Sequence, residues 1–78
     1  MKLTIAKVDE TLFDGEAHCV HLPGVDGEFG VLSHHEPLIA TLKAGVISVR
    51  KEKEAEPQRF TIEKGVLEVS RNEVIVLL

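Results

Sequence analysis

The sequence predicts an all-β fold, and three observations carry that prediction. Val, Ile and Thr together make up 19 of the 78 residues against five Ala, and stiff β-branched side chains favour the pleated strand. Turn signals recur about every eight to twelve residues, the spacing of an all-β sandwich or barrel. No segment sustains a helical apolar period. Because no linker or internal repeat divides the chain, we expect one domain over residues 1–78.

The first half of the chain predicts two strands followed by a glycine-containing loop. Residues 2–8 alternate as a strand does, and Asp14-Gly15 predicts a turn because both residue types tolerate tight-turn conformations. Residues 16–22 form a strand with apolar side chains on both faces, which predicts either a bulge or two-sided burial. Pro23-Gly24 then opens a loop whose glycines allow positive φ.

Beyond this loop the chain predicts a short apolar strand over 29–32 and a polar segment over 33–38. We expect the region to display five polar side chains close together, which are Asp26, Glu28, His34, His35 and Glu36. A polar surface framed by Gly and Pro is typical of a contact surface, and on physical grounds alone an ordinary solvated loop has equal weight.

The second half of the chain predicts a series of short strands. Residues 37–42 form one, residues 46–49 begin the next, and residues 51–57 are a solvated hairpin loop rather than a helix, since Pro57 ends a stretch too short to stand alone. Strands follow around 60–62 and 67–70. Arg71-Asn72 is a two-residue turn. The last strand is apolar on both faces, with residues 74–77 buried and Val76 in the core.

Composition excludes several classes of protein. Nine basic and thirteen acidic side chains give a net charge of −4, which argues against nucleic acid as a partner. No apolar run approaches the roughly 20 residues of a membrane helix, and Lys7 and Asp9 interrupt the only candidate signal peptide. The single Cys19 closes no internal disulfide, which favours a reducing compartment. We therefore expect a soluble protein without direct membrane insertion.

No pattern of residues predicts chemistry. Neither Ser33 nor Ser70 lies in a nucleophile elbow, and neighbouring side chains on a strand point to opposite faces, which separates Cys19 from His18. The four histidines would have to converge from separate loops to bind a metal. The glycine-containing loop lacks the GK[ST] of a phosphate loop. We expect no catalytic residue, no metal and no cofactor.

Motifs along the whole chain carry a family resemblance. They are Leu12 to Glu16, Leu22 to Gly24, Gly27–Leu32, His35 to Leu38, Gly45-Val46, Gly65 to Val69 and Asn72 to Val74. In order and spacing they resemble the N-terminal domain of the ε subunits of F-type ATP synthases. The chain departs from that pattern at Ser33, where Pro is usual, and at Lys64, where a second glycine is common.

The resemblance implies a flattened β-sandwich of about ten short, mostly antiparallel strands. It further implies a non-catalytic central-stalk subunit that links the γ subunit to the membrane c-ring, contacts the α/β catalytic head indirectly and lies at the cytoplasmic face of the bacterial inner membrane. The residues it places on the c-ring loops are Asp26, Gly27, Glu28, Gly30, His35, Glu36, Pro37 and Leu38. Family members usually continue into an inhibitory helical hairpin, whereas this sequence stops at Leu78, so we expect neither a brake nor ATP binding.

Two alternatives from other classes stay open at this point. A lipoyl- or biotinyl-type carrier domain is also a small all-β sandwich with a modified lysine at a hairpin tip, and Lys43 before Ala44-Gly45 is the candidate. A β-barrel enzyme that binds a metal through its histidines is the weaker alternative.

Overall fold

All 78 residues are described in a computed structural model, which consists of nine β-strands and no helix. The strands are β1 (Lys2–Lys7), β2 (Glu10–Glu16), β3 (Cys19–Gly24), β4 (Gly27–Leu32), β5 (Leu38–Leu42), β6 (Gly45–Arg50), β7 (Gln58–Ile62), β8 (Gly65–Ser70) and β9 (Glu73–Leu77). The predicted all-β class is confirmed, with nine strands where about ten were expected.

One continuous sheet folds over into two layers. Its order is β2-β1-β9-β8-β5-β3-β6-β7, with β4 on the other side of β3, and only the β1–β9 pair is parallel. β5 and β3 share a single residue pair, Gly24 with Leu42. Because so narrow a connection leaves both strands free to diverge, the first layer is β2-β1-β9-β8-β5 and the second is β4-β3-β6-β7. This arrangement is a β-sandwich.

The hydrophobic core lies between the two layers. Alternate residues of each strand point inward, as the two-residue period of a strand requires, and no polar or charged side chain is buried. The largest side chains that are fully buried are Leu3, Ile5, Leu22, Leu42, Ile47, Leu67, Val20, Val31, Val49, Val69, Val74 and Val76. Both layers contribute, so the core is what holds them together.

The predicted turn at Asp14-Gly15 is wrong. Both residues lie within β2, where they pair with Thr4 and Leu3 of β1, and the turn between the two strands is at Val8-Asp9. A shift of register between Ile5 and Ala6 leaves one extra residue on β2, which is a β-bulge. Gly15 has open space around it and no positive φ. Its backbone therefore lacks the conformation for which a tight turn would need a glycine. The strand predicted over 16–22 accordingly begins later, at Cys19.

Other local predictions are confirmed. Arg71 and Asn72 form a two-residue turn with φ of 53° and 59°, as a primed hairpin turn requires. Residues 51–57 form a loop without helix, where Arg50 Nη1 donates to the carbonyl oxygen of Ala55 at 2.5 Å.

Val76 is fully buried, but Leu77 is 59% exposed, because alternate residues of β9 face opposite sides. The expectation that residues 74–77 are all buried is therefore wrong at Leu77 and at Ile75, which is half-buried.

Candidate partner-binding surface

The glycine-containing region is a tight hairpin rather than a loop. Pro23 and Gly24 belong to β3 and pair with Glu28 and Gly27 of β4, so only Val25 and Asp26 form the turn. A Cβ atom at Gly24 would lie 2.7 Å from the Gly27 carbonyl oxygen. Close approach of the two backbones, rather than freedom of φ, is what this glycine provides. Only Gly27, with φ of 130°, needs the conformational freedom expected of the loop.

Gly30 also serves packing. It lies inside β4 opposite His21 of β3, and a Cβ atom there would come within 3.0 Å of His21 Nε2. The imidazole therefore covers this glycine on the outer face of the second layer, where Gly30 leaves the space that the ring occupies.

The eight residues expected to contact a partner lie along one edge of the sandwich. β4 is hydrogen-bonded to β3 alone. The eight residues come from its preceding turn, from β4 itself, from the segment that leads into β5 and from the first residue of β5. Seven of them are exposed and Leu38 is half-buried. The free edge of β4 and most of these side chains are therefore accessible to solvent.

The expectation that five polar side chains cluster there is wrong. Asp26 lies in the turn before β4 and Glu28 near the start of that strand, whereas His34, His35 and Glu36 follow its other end at Leu32. A strand of six residues is roughly 17 Å long, so β4 separates the two groups. The separation follows from the short turn, because residues 27–32 form one extended strand.

A groove of about 660 Å³ lies between the first half of β4 and β5. It is lined by residues 24–29 and 38–41, so it includes four of the predicted contact residues, namely Asp26, Gly27, Glu28 and Leu38. Its two charged side chains, Asp26 and Glu28, are both acidic. The groove therefore favours a partner that presents basic and apolar side chains together.

Sequence reasoning missed two apolar residues of this groove. Val25 is 51% exposed and Ile39 is 73% exposed. Ile39 stands between Leu38 and Ala40, which pack against the core, so the alternation of β5 could have indicated that it faces outward. Val25 gave no such signal, because its place in the turn depends on the pairing of Gly24 with Gly27.

The second part of the edge, segment 33–37, is held by hydrogen bonds to distant residues. The His34 amide donates to Asn72 Oδ1 at 2.7 Å, and the amino group of Met1 donates to Ser33 Oγ at 3.2 Å. His35 Nδ1 lies 2.7 Å from the Glu36 carbonyl oxygen, which can only accept, so the tautomer with a proton on Nδ1 makes this bond. The segment is exposed yet has a defined shape.

No group of three or more His, Cys, Asp or Glu residues lies close enough together to hold a metal ion. Cys19 is a free thiol buried in β3. The chain contains no helix that is long and apolar enough to cross a membrane.

Comparison with known proteins identifies the family. The family described as "ATP synthase, Delta/Epsilon chain, beta-sandwich domain" matches residues 1–78. The chain belongs to this family. Its relatives include the ATP synthase epsilon chain of Sulfurimonas denitrificans, 45% identical over 78 residues, and ATP synthase epsilon chain 2 of Burkholderia orbicola, 40% identical over 77 residues. The matches cover 100% and 99% of this chain and 59% and 51% of those relatives, so the chain spans somewhat more than half their length.

Chains in two solved structures of ATP synthases share the fold. A chain in the structure of Euglena gracilis mitochondrial ATP synthase, OSCP/F1/c-ring, superposes with a TM-score of 0.87 and 25% identity, over 96% of this chain and 48% of that chain. A chain in the Tetrahymena thermophila central stalk/c-ring structure gives a TM-score of 0.81 at 14% identity, over 99% of this chain and 61% of that one. The second likeness concerns the fold alone. The carrier-domain alternative, which would modify Lys43, finds no support among these relatives.

Proposed function

We propose that residues 1–78 are one domain that acts in the central stalk of an F-type ATP synthase, where it links the γ subunit to the membrane c-ring. The observation that carries the proposal is the family match over the whole chain together with the TM-score of 0.87 to a chain of an F1/c-ring assembly. The role is mechanical: the domain transmits rotation driven by ion flow and contributes no catalytic residue.

The free edge at β4 is the surface we assign to the c-ring loops. Support comes from the exposure of seven of the eight residues named above and from the acidic groove beside Glu28. Polar contacts at the rim of a protein-protein interface fix the relative orientation of the partners and the specificity of their binding.

A second surface fits the γ subunit. Val66 and Leu77 are both exposed on neighbouring strands of the first layer, where they pair with each other. An exposed group of large apolar side chains is typical of a protein-protein contact. With one surface bound to γ and the other to the c-ring loops, the domain is a peripheral subunit that is not inserted into the bilayer. It then lies at the cytoplasmic face of a bacterial inner membrane.

The test is recovery of partners from native membranes. Tagged protein is added to detergent-solubilised membranes of its host, and we expect it to retain γ, the c-ring and the α/β head. Recovery of the domain alone at every salt concentration would contradict the proposal.

A double variant tests the c-ring surface. Glu28→Ala with His35→Ala should weaken retention of the c-ring by about 1–3 kcal/mol while leaving the circular dichroism spectrum unchanged, because both side chains are exposed. Glu52→Ala with His18→Ala is the matched control, since it removes the same residue types at exposed positions outside the edge. Equal retention by both double variants would exclude Glu28 and His35 as contacts, and loss of the β-sheet spectrum would mean that they stabilise the fold instead.

A further inference from the structure

Segment 33–37 contains one residue with a left-handed backbone conformation. His34 has φ of 63°, in the left-handed region that side chains with a Cβ atom seldom adopt. All five residues of the segment are exposed, so burial does not impose this shape. Hydrogen bonds fix it instead: one local bond, from the His35 amide to the Leu32 carbonyl oxygen, closes the turn at 33–34, and others join the segment to distant residues.

The strained residue is also the one that Asn72 contacts. The His34 amide donates to Asn72 Oδ1 at 2.7 Å across 38 residues of sequence. The other backbone contact of the segment, from the His35 amide to the Leu32 carbonyl oxygen, is longer at 3.3 Å and local. Two bonds therefore connect the segment to other parts of the sandwich, and the one to Asn72 is shorter than the 3.2 Å bond from the Met1 amino group to Ser33 Oγ.

Asn72 is itself held firmly. It is the second residue of the β8–β9 turn, and its carbonyl oxygen accepts a hydrogen bond from the Lys2 amide at 3.3 Å. The hairpin on which it stands has Val69 paired with Val74 in the core. The turn requires only that this position tolerate positive φ, which Gly would do equally well. The carboxamide of Asn72 is therefore not needed for the turn and is available for the segment.

We propose that Asn72 is a positioning residue that holds segment 33–37 in the shape in which His35 and Glu36 meet the partner subunit. The proposal rests on the proposed function, because it takes the edge at β4 as the surface for the c-ring loops. A segment already ordered loses less conformational freedom on binding, so the anchor at Asn72 raises the affinity of the contact without touching the partner.

Three variants separate the carboxamide from the turn. Asn72→Gly removes the acceptor and keeps the tolerance for positive φ, while Asn72→Asp restores a side-chain oxygen at the same place. Arg71→Gly is the matched control, because Arg71 occupies the same turn with φ of 53° and takes no part in holding the segment. Each variant is examined by NMR as the 78-residue chain, and then for association with γ and the c-ring purified from host membranes.

We expect Asn72→Gly to raise the rate at which the His34 amide exchanges with water about fivefold, the equivalent of about 1 kcal/mol at about 1.4 kcal/mol per factor of ten. Backbone order parameters of residues 34–36 should fall from about 0.85 towards 0.6. Association with the c-ring should weaken by about threefold to tenfold. Asn72→Asp should retain the parent's values for the segment, and Arg71→Gly should match the parent in every measurement.

Unchanged exchange and order parameters in Asn72→Gly would overturn the proposal, as would a mobile segment with undiminished association. Weaker association without any change in the segment would also overturn it, because Asn72 would then act by another route. Failure of the proposed function gives a different pattern, in which Glu28→Ala with His35→Ala leaves association unchanged. If that double variant weakens association and Asn72→Gly does not, only the positioning role fails.

Discussion

The ring of Phe13 in β2 lies edge-to-face against the ring of Phe60 in β7, with the centroids 6.4 Å apart and the planes at 77°. β2 and β7 are the first and last strands in the sheet order. The contact therefore brings together the two ends of the folded sheet and closes the sandwich on the side opposite the β5–β3 connection. Lys51 Nζ lies 6.0 Å from the centroid of the Phe13 ring and covers the closure from the solvent side.

Loss of the aromatic pair should loosen this closure. Phe60→Leu keeps an apolar side chain but removes the edge-to-face contact, so we expect the free energy of unfolding to fall by about 1–2 kcal/mol, of which the pair accounts for about 0.5–1.5. Urea denaturation measures the change. Phe29→Leu is the control, because Phe29 is also half-buried against the core but has no aromatic partner. Equal losses in the two variants would show that the ring pair adds nothing beyond apolar contact.

The close approach of the β3–β4 backbones predicts a difference between two glycines. Gly24→Ala would place a Cβ atom 2.7 Å from the Gly27 carbonyl oxygen, so the hairpin must shift, and we expect a loss of about 1–3 kcal/mol in the free energy of unfolding. Gly15→Ala is the matched control, since no atom lies within 4 Å of its added Cβ. It should be neutral or stabilising. Equal melting temperatures of the two variants would mean that the hairpin is not tightly packed at Gly24.

Alternation along β9 predicts opposite outcomes at adjacent positions. Val76→Asp places an unpaired carboxylate in the core, where Val76 is fully buried, and should prevent stable folding because burial of an isolated charge is strongly unfavourable. Leu77→Asp introduces the same side chain at an exposed position and should change the free energy of unfolding by less than about 1 kcal/mol. Circular dichroism and melting temperature distinguish them. A Val76→Asp protein that melts within a degree of the parent would refute the assignment of Val76 to the core.

The acidic groove predicts that association depends on charge at one place. Asp26→Lys with Glu28→Lys reverses both charged side chains that line it, and we expect slower association with the c-ring and a smaller effect of salt on the rate. Glu52→Lys with Glu54→Lys makes the same change of net charge in the exposed loop 51–57 and serves as the control. Surface plasmon resonance at two ionic strengths gives the rates. If the control slows association as much, total charge rather than the groove determines the rate.

The sequence by itself determined the elements whose signals are local. The turn at Arg71-Asn72 has the positive φ values that its residues tolerate, and Val76 is buried because the apolar pattern of the last strand demands a covered face. The family motifs likewise predicted a sandwich, since their order and spacing span the whole chain.

Only the tertiary structure decided which of several similar residue patterns forms a turn and which lies within a strand. Asp14-Gly15 resembles a turn as much as Arg71-Asn72 does, yet it lies within β2 because pairing with β1 satisfies its backbone hydrogen bonds. Gly24 and Gly30 provide space for Gly27 and His21 rather than backbone flexibility. This role exists only because β3 pairs with β4. The contact of Asn72 with His34 joins residues 38 positions apart. Such contacts exist only after the sheet has folded over, because no local pattern of residues specifies which distant strands become neighbours.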